Sequence, residues 1–90
     1  MTKKILNVNR ATGIESYLLR LLPGAAPERH QHDQDELCIV LEGDVSFDEI
    51  HLKAGDYHYA RKGSWHGRAS TVHGALLFLQ SGVTTAQVTA

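Results

Sequence analysis

Hydrophobic and polar positions divide this chain into short segments of strand length. Eight glycines, Gly43 among them, act as turn signals along its 90 residues, and apolar segments lie between them. The clearest segments are SYLLRLL (16–22), ELCIVLE (36–42), VSFDEIHL (45–52), DYHYA (56–60) and ALLFLQ (75–80), with weaker candidates at ILNV (5–8) and VTTAQV (83–88). None of them holds a stretch of about ten residues with helical periodicity and caps at both ends. The pattern therefore predicts an all-β chain.

Two segments, LCIVL (37–41) and ALLFL (75–79), are apolar at consecutive positions. A strand with one face in water would instead alternate apolar and polar residues. We therefore expect both faces of these strands to be covered, by a second sheet, by another subunit or by the interior of a tightly curled sheet. Because the chain is small, a homodimer is the simplest cover for the outer face.

Composition indicates one folded domain over residues 1–90, with 42% hydrophobic and 21% charged residues. The net charge of −1 gives no basic excess, so neither nucleic acid nor an anionic membrane is an expected partner. Cys38 is the single cysteine and cannot form an intramolecular disulfide. No run reaches the ~18 apolar residues of a membrane span, and MTKKILNVNR lacks the apolar core of a signal peptide. We expect a cytoplasmic protein.

Candidate metal ligands lie directly before the most hydrophobic segment, in HQHDQDE (30–36). His30, His32 and Glu36 are all even-numbered, so they share one face if the chain stays extended, although DQD (33–35) could make a turn. Two imidazoles and one carboxylate suit iron, manganese, nickel or zinc. His66, in GSWHG, is the best candidate for a fourth ligand. A set of histidines without metal and a purely structural metal are the alternatives.

The segment from Gly24 to Gly43 resembles the first motif of the cupin superfamily. That motif is glycine, five residues, His30, one residue, His32, three residues, Glu36, six residues and glycine, and every defining position is filled. The resemblance implies a double-stranded β-helix, the jelly-roll cupin barrel, over about residues 14 to 80. It also implies that His30, His32, Glu36 and His66 ligate a metal inside the barrel.

The second cupin motif is matched by Gly55, Gly63 and His66. Arg61 stands where the family usually has proline, and Ser70 stands where it often has asparagine. Neither position is a metal ligand, so these departures concern the rigidity of the turn. The short spacing between the motifs is similar to that of compact RmlC-like single-domain cupins.

The stretches DELCIVLEGDVSFDEIHLKAGDYHYARKGSWHGRAS (35–70) and GALLFL (74–79) are also similar to the cupin domain of zinc-dependent anti-sigma factors. Residues 1–23 contain neither cysteine nor histidine, so the zinc-finger-like, sigma-binding part of those proteins has no counterpart there and we do not expect an anti-sigma role. Two functions stay open: a metal-dependent, dioxygenase-like oxidoreductase acting on a small molecule, and a non-catalytic zinc-binding sensing module. His58, Cys38 and Tyr59 are candidates for the surroundings of the metal or for lining the cavity, although a buried cysteine usually behaves as a small hydrophobe.

Overall fold

The computed structural model describes residues 1–26, 34–64 and 69–83, and these form seven β-strands. The strands are β1 (Thr2–Val8), β2 (Glu15–Leu21), β3 (Asp35–Phe47), β4 (Ile50–Lys53), β5 (Tyr57–Ala60), β6 (Ala69–Ser70) and β7 (Ala75–Val83). The described residues include no helix, and so none long and apolar enough to cross a membrane. The prediction of an all-β chain is confirmed.

Strand β3 organises the fold because it takes part in two layers. All pairings are antiparallel, and the order is β1-β2-β7-β3-β4, with β5 and β6 also paired to β3. The first half of β3 lies between β7 and β5, whereas its second half pairs with β4 and β6. A bulge between Val40 and Glu42 separates the halves, and bulges bend a strand in this way. The result is a curled jelly roll with an inner and an outer face.

The core fills the inner face. Before the bulge the buried residues of β3 are even-numbered, and after it they are odd-numbered, because the extra residue reverses the alternation. The buried cluster consists of Leu21, Cys38, Val40, Val45, Phe47, Ala75, Leu77 and Leu79. In β7 the alternate residues Leu76 and Phe78 point outward and are half-buried. The apolar run ALLFL therefore supplies the core on one side and an apolar outer surface on the other.

Gly43 behaves differently from the turn glycine that the sequence suggested. It lies inside β3, paired with Ala75, with φ at +79°. A Cβ atom there would collide with the carbonyl oxygen of Gly74, so the glycine allows two backbones to approach closely. The actual turn lies later, inside the segment predicted as VSFDEIHL, where Asp48 takes a positive φ of 52° between β3 and β4.

Candidate metal centre

Glu36 is the predicted metal ligand that the structure describes. His30, His32 and His66 lie outside the described residues. Within residues 1–26, 34–64 and 69–83, no group of three or more His, Cys, Asp or Glu side chains could hold a metal ion. The complete ligand set therefore stays a prediction, and the surroundings of Glu36 carry the structural argument.

Strand β3 turns Glu36 toward the inner face of the sheet. Glu36 pairs with Ala60, and the next inward residue, Cys38, pairs with His58 on one side and Leu79 on the other. Directly paired residues of antiparallel strands project on the same side. Ala60, Cys38 and Leu79 are buried, and Glu36 is half-buried beside them. The carboxylate thus lies at the margin of the apolar core.

Tyr17 of β2 reaches across β7 to this carboxylate. Its hydroxyl donates to Oε2 of Glu36 at 3.5 Å, which is long for such a bond. Burial, followed by the negative charges of Glu36 and Glu15, raises the pKa of Tyr17. The phenol therefore stays protonated at neutral pH and donates this hydrogen bond, which the carboxylate accepts. Tyr17 is placed to orient Glu36.

A cation lies over the face of the Tyr17 ring. Lys3 Nζ is 4.2 Å from the ring centroid and 2.9 Å from Glu15 Oε1. Lys3 and Glu15 are both partly shielded from solvent. The contacts from Glu15 through Lys3 and Tyr17 to Glu36 form a continuous polar series along the inner face. Lys3 thus contacts the Tyr17 ring and Glu36 contacts its hydroxyl.

Cys38 and His58 lie further along the same face, and both are held in their neutral forms. Burial, reinforced by the charge of Glu36, raises the pKa of Cys38 to about 12. The thiol consequently behaves as a small core residue at neutral pH. The His58 ring stacks on Phe47 with centroids 5.5 Å apart and an interplanar angle of 26°. Burial lowers the pKa of His58, so its imidazole is neutral around pH 7.

Tyr59 does not join this cluster. It pairs with Leu37 rather than with an inward residue of β3, and it is exposed. Its hydroxyl donates to Asp35 Oδ2 at 2.7 Å, and the Lys62 amide donates to Asp35 Oδ1 at 2.6 Å. These bonds hold the pKa of Asp35 below its ordinary value. The structure therefore places Tyr59 on the outer face, whereas Cys38 and His58 lie near Glu36.

Glu36, the one predicted ligand within the described residues, has the chemistry of a ligand for a divalent cation. Its half-buried carboxylate supplies a hard oxygen donor, and the Tyr17 hydroxyl contacts that carboxylate, as outer partners of metal ligands commonly do. Tyr17 and Lys3 were not among the residues singled out from sequence. The available signal was the odd-numbered alternation in β2, which places Tyr17, Leu19 and Leu21 on one face.

Comparison with known protein families identifies the family of this chain. A family model described as the ChrR cupin-like domain matches residues 1–85. The chain belongs to this family. A search of curated proteins found no match.

Solved structures show the same cupin fold. The complex of Rhodobacter sphaeroides SigE with the anti-sigma ChrR aligns with a TM-score of 0.77 at 22% identity, covering 88% of this cupin and 43% of that chain. An acetylacetone dioxygenase from Acinetobacter johnsonii aligns with a TM-score of 0.80 at 13% identity, covering 88% and 57%. An RmlC-like cupin from Shewanella frigidimarina aligns with a TM-score of 0.76 at 22% identity, covering 93% and 78%. This cupin spans about half the length of the first two structures, and the likenesses establish its fold.

Proposed function

We propose that this cupin binds one divalent metal ion through His30, His32, Glu36 and His66. The observation that carries the proposal is the inward placement of Glu36, half-buried on the core face and contacted by the Tyr17 hydroxyl. A carboxylate oxygen is one of the donors that divalent first-row metal ions take in proteins. The spacing of the three histidines relative to Glu36 supports the same set.

Zinc, iron, manganese and nickel all suit a ligand set of three imidazoles and one carboxylate. When bound, such an ion supplies Lewis acidity and open coordination positions to a small molecule. The chain's own residues hold the ligand carboxylate, through Tyr17, and keep the adjoining surface apolar, through Cys38 and its core neighbours. Neutral His58 adds a polar group that can accept or donate a hydrogen bond near the site.

The function favoured is a non-catalytic, zinc-binding sensing module. Membership of the ChrR cupin-like family over residues 1–85 supports this function. In this proposal, gain or loss of the metal, or binding of a small-molecule ligand to it, alters the surface offered to a protein partner. The alternative is a dioxygenase-like oxidoreductase, and it is supported by the fold shared with the acetylacetone dioxygenase from Acinetobacter johnsonii. We further propose that the protein is cytoplasmic and homodimeric.

A metal titration of the 90-residue chain tests the proposal. Metal-free protein is titrated with zinc, iron(II), manganese(II) and nickel(II) against a chromophoric chelator. We expect one ion per chain, and a Glu36→Gln variant should bind it more than about a hundredfold more weakly, because a charged ligand is lost.

The matched control is Glu42→Gln, since Glu42 is exposed on the outer face and pairs with Arg20 at 3.8 Å. The control should retain wild-type affinity. Wild-type protein that binds none of the four ions would refute the proposal, as would equal losses in the two variants. Tightly held zinc would favour the sensing module, whereas a redox-active ion with oxygen uptake would favour the oxidoreductase.

A further inference from the structure

The outer face of the sheet carries a row of five aligned residues, four of them apolar or aromatic. The registers of four strand pairs place Lys4, Leu18, Phe78, Ile39 and Tyr57 side by side, one residue from each of β1, β2, β7, β3 and β5. Paired residues project on the same side, so all five side chains belong to this face. None of them belongs to, or packs against, the buried core cluster. We call them the central row.

Two further rows flank the central row. Arg20, Leu76 and Glu42 lie on one side, and Gln80, Leu37 and Tyr59 lie on the other. An ion pair between Arg20 and Glu42 spans the first of these at 3.8 Å. Apolar and aromatic residues therefore occupy the middle of the face and charges lie at its rim, which is the arrangement of protein–protein interfaces.

The central row is self-complementary about its middle residue. A two-fold axis parallel to β7 would lay β1 of one copy over β5 of the other, and β2 over β3. Lys4 then meets the partner subunit's Tyr57, Leu18 meets the partner's Ile39, and Phe78 meets the partner's Phe78. A lysine over a tyrosine ring is a favourable cation–π contact. The same order of residues satisfies both copies, as an isologous interface requires.

The shape of the face matches this pairing. A depression of about 260 Å³ lies at the β1 margin, lined by Thr2, Lys3, Lys4, Leu18, Arg20 and Leu76. At the opposite margin Tyr57 projects with 57% of its surface exposed. A cavity of about 150 Å³ admits a benzene ring, so the depression has room for a phenol ring. The two-fold axis brings each tyrosine over the other copy's depression.

We propose that two copies of this chain pack outer face to outer face, with Tyr57 of each copy entering the depression beside Lys4 of the other. Strands about 4.8 Å apart give a five-strand face about 20 Å wide, and the seven residues of β2 extend about 24 Å along it. That footprint, roughly 500 Å² on each copy, reaches only the low end of the areas buried in specific interfaces. The dimer should therefore dissociate at about micromolar concentrations. The proposal is independent of the metal site.

Sedimentation equilibrium over about two decades of concentration tests the proposal. Wild-type protein should be dimeric at the high end and monomeric at the low end. Tyr57→Arg removes both tyrosines from their depressions and sets like charges against Lys4, so the dissociation constant should rise about a hundredfold. Val72→Arg is the matched control, because Val72 is 72% exposed in the turn before β7, away from the central row. It should leave the dimer unchanged.

A compensating variant tests the register. Adding Lys4→Glu to Tyr57→Arg restores opposite charges across the two-fold axis but not the tyrosine rings, so dimerisation should recover part of the loss. A monomeric wild-type protein at every concentration would overturn the proposal. So would a dimer that tolerates Tyr57→Arg, equal weakening by Val72→Arg, or a double variant that dimerises no better than Tyr57→Arg alone.

Discussion

Replacing Tyr17 by phenylalanine should weaken metal binding without unfolding the protein. The hydroxyl that is lost donates to Glu36 Oε2 at 3.5 Å, so the carboxylate would lose the donor that orients it. Loss of such an outer partner typically costs tenfold to a hundredfold in metal affinity. This bond is longer than the usual 2.7–2.8 Å, so we expect a loss of metal affinity at the low end of that range. The expected loss is about tenfold, or about 1.4 kcal/mol.

The metal-free protein should respond much less to Tyr17→Phe. The ring keeps its packing against the core and its contact with Lys3, 4.2 Å from the ring centroid. Only one long hydrogen bond disappears, which costs less than about 1 kcal/mol of unfolding free energy. A chelator-competition titration measures the affinity, and urea unfolding of the metal-free protein measures the stability. A large loss of affinity with a small loss of stability is the expected combination.

Tyr59→Phe is the matched control for this prediction. It removes a shorter bond, from the Tyr59 hydroxyl to Asp35 Oδ2 at 2.7 Å, but on the outer face. Metal affinity should therefore match that of the wild type. If Tyr17→Phe bound metal as tightly as the wild type, or if both variants lost affinity equally, the assignment of Tyr17 as the residue that orients Glu36 would be wrong.

Two further predictions concern stability. Gly43→Ala should lower the free energy of unfolding in urea by about 2–4 kcal/mol, because the added Cβ would collide with Gly74 and φ is positive. Gly55→Ala is the control: φ is positive there too, but an added Cβ would meet nothing within 4 Å, so the loss should be about 1 kcal/mol. Equal costs would contradict the close approach. For His58, burial lowers the folded pKa, so the unfolded chain takes up the proton first and stability falls as pH drops below about 6.5. In metal-free protein, His58→Gln should reduce this loss of stability at low pH. An unchanged pH dependence of the unfolding free energy would contradict the assignment of the loss to His58.

The cupin fold could be predicted because its signals are local. The spacing from Gly24 to Gly43 lies within one short stretch, and the segment ELCIVLE lies within β3, Asp35–Phe47. The expected alternation of faces also holds within β3, where Glu36 and Cys38 lie on one side, since the strand is extended from Asp35 up to its bulge. Parity within one strand is a short-range property, so sequence carries it directly.

The surroundings of Glu36 could not be predicted because they depend on strand order. Tyr17 meets Glu36 only because β7, from the end of the chain, lies between β2 and β3. Tyr59 depends on strand pairing in the same way. Its position in DYHYA did not show that it would pair with Leu37 and so lie on the outer face of the sheet. Gly43 was mistaken for a turn because a glycine in a close backbone contact and a glycine in a turn look the same in sequence.

The most direct test of the central claim is the metal content of the protein, purified from its native host without added metal and measured per chain by elemental analysis. The account predicts about one divalent ion per chain in the wild type and a strongly reduced content in Glu36→Gln. Wild-type protein without metal, or a Glu36→Gln variant with the full wild-type content, would contradict it.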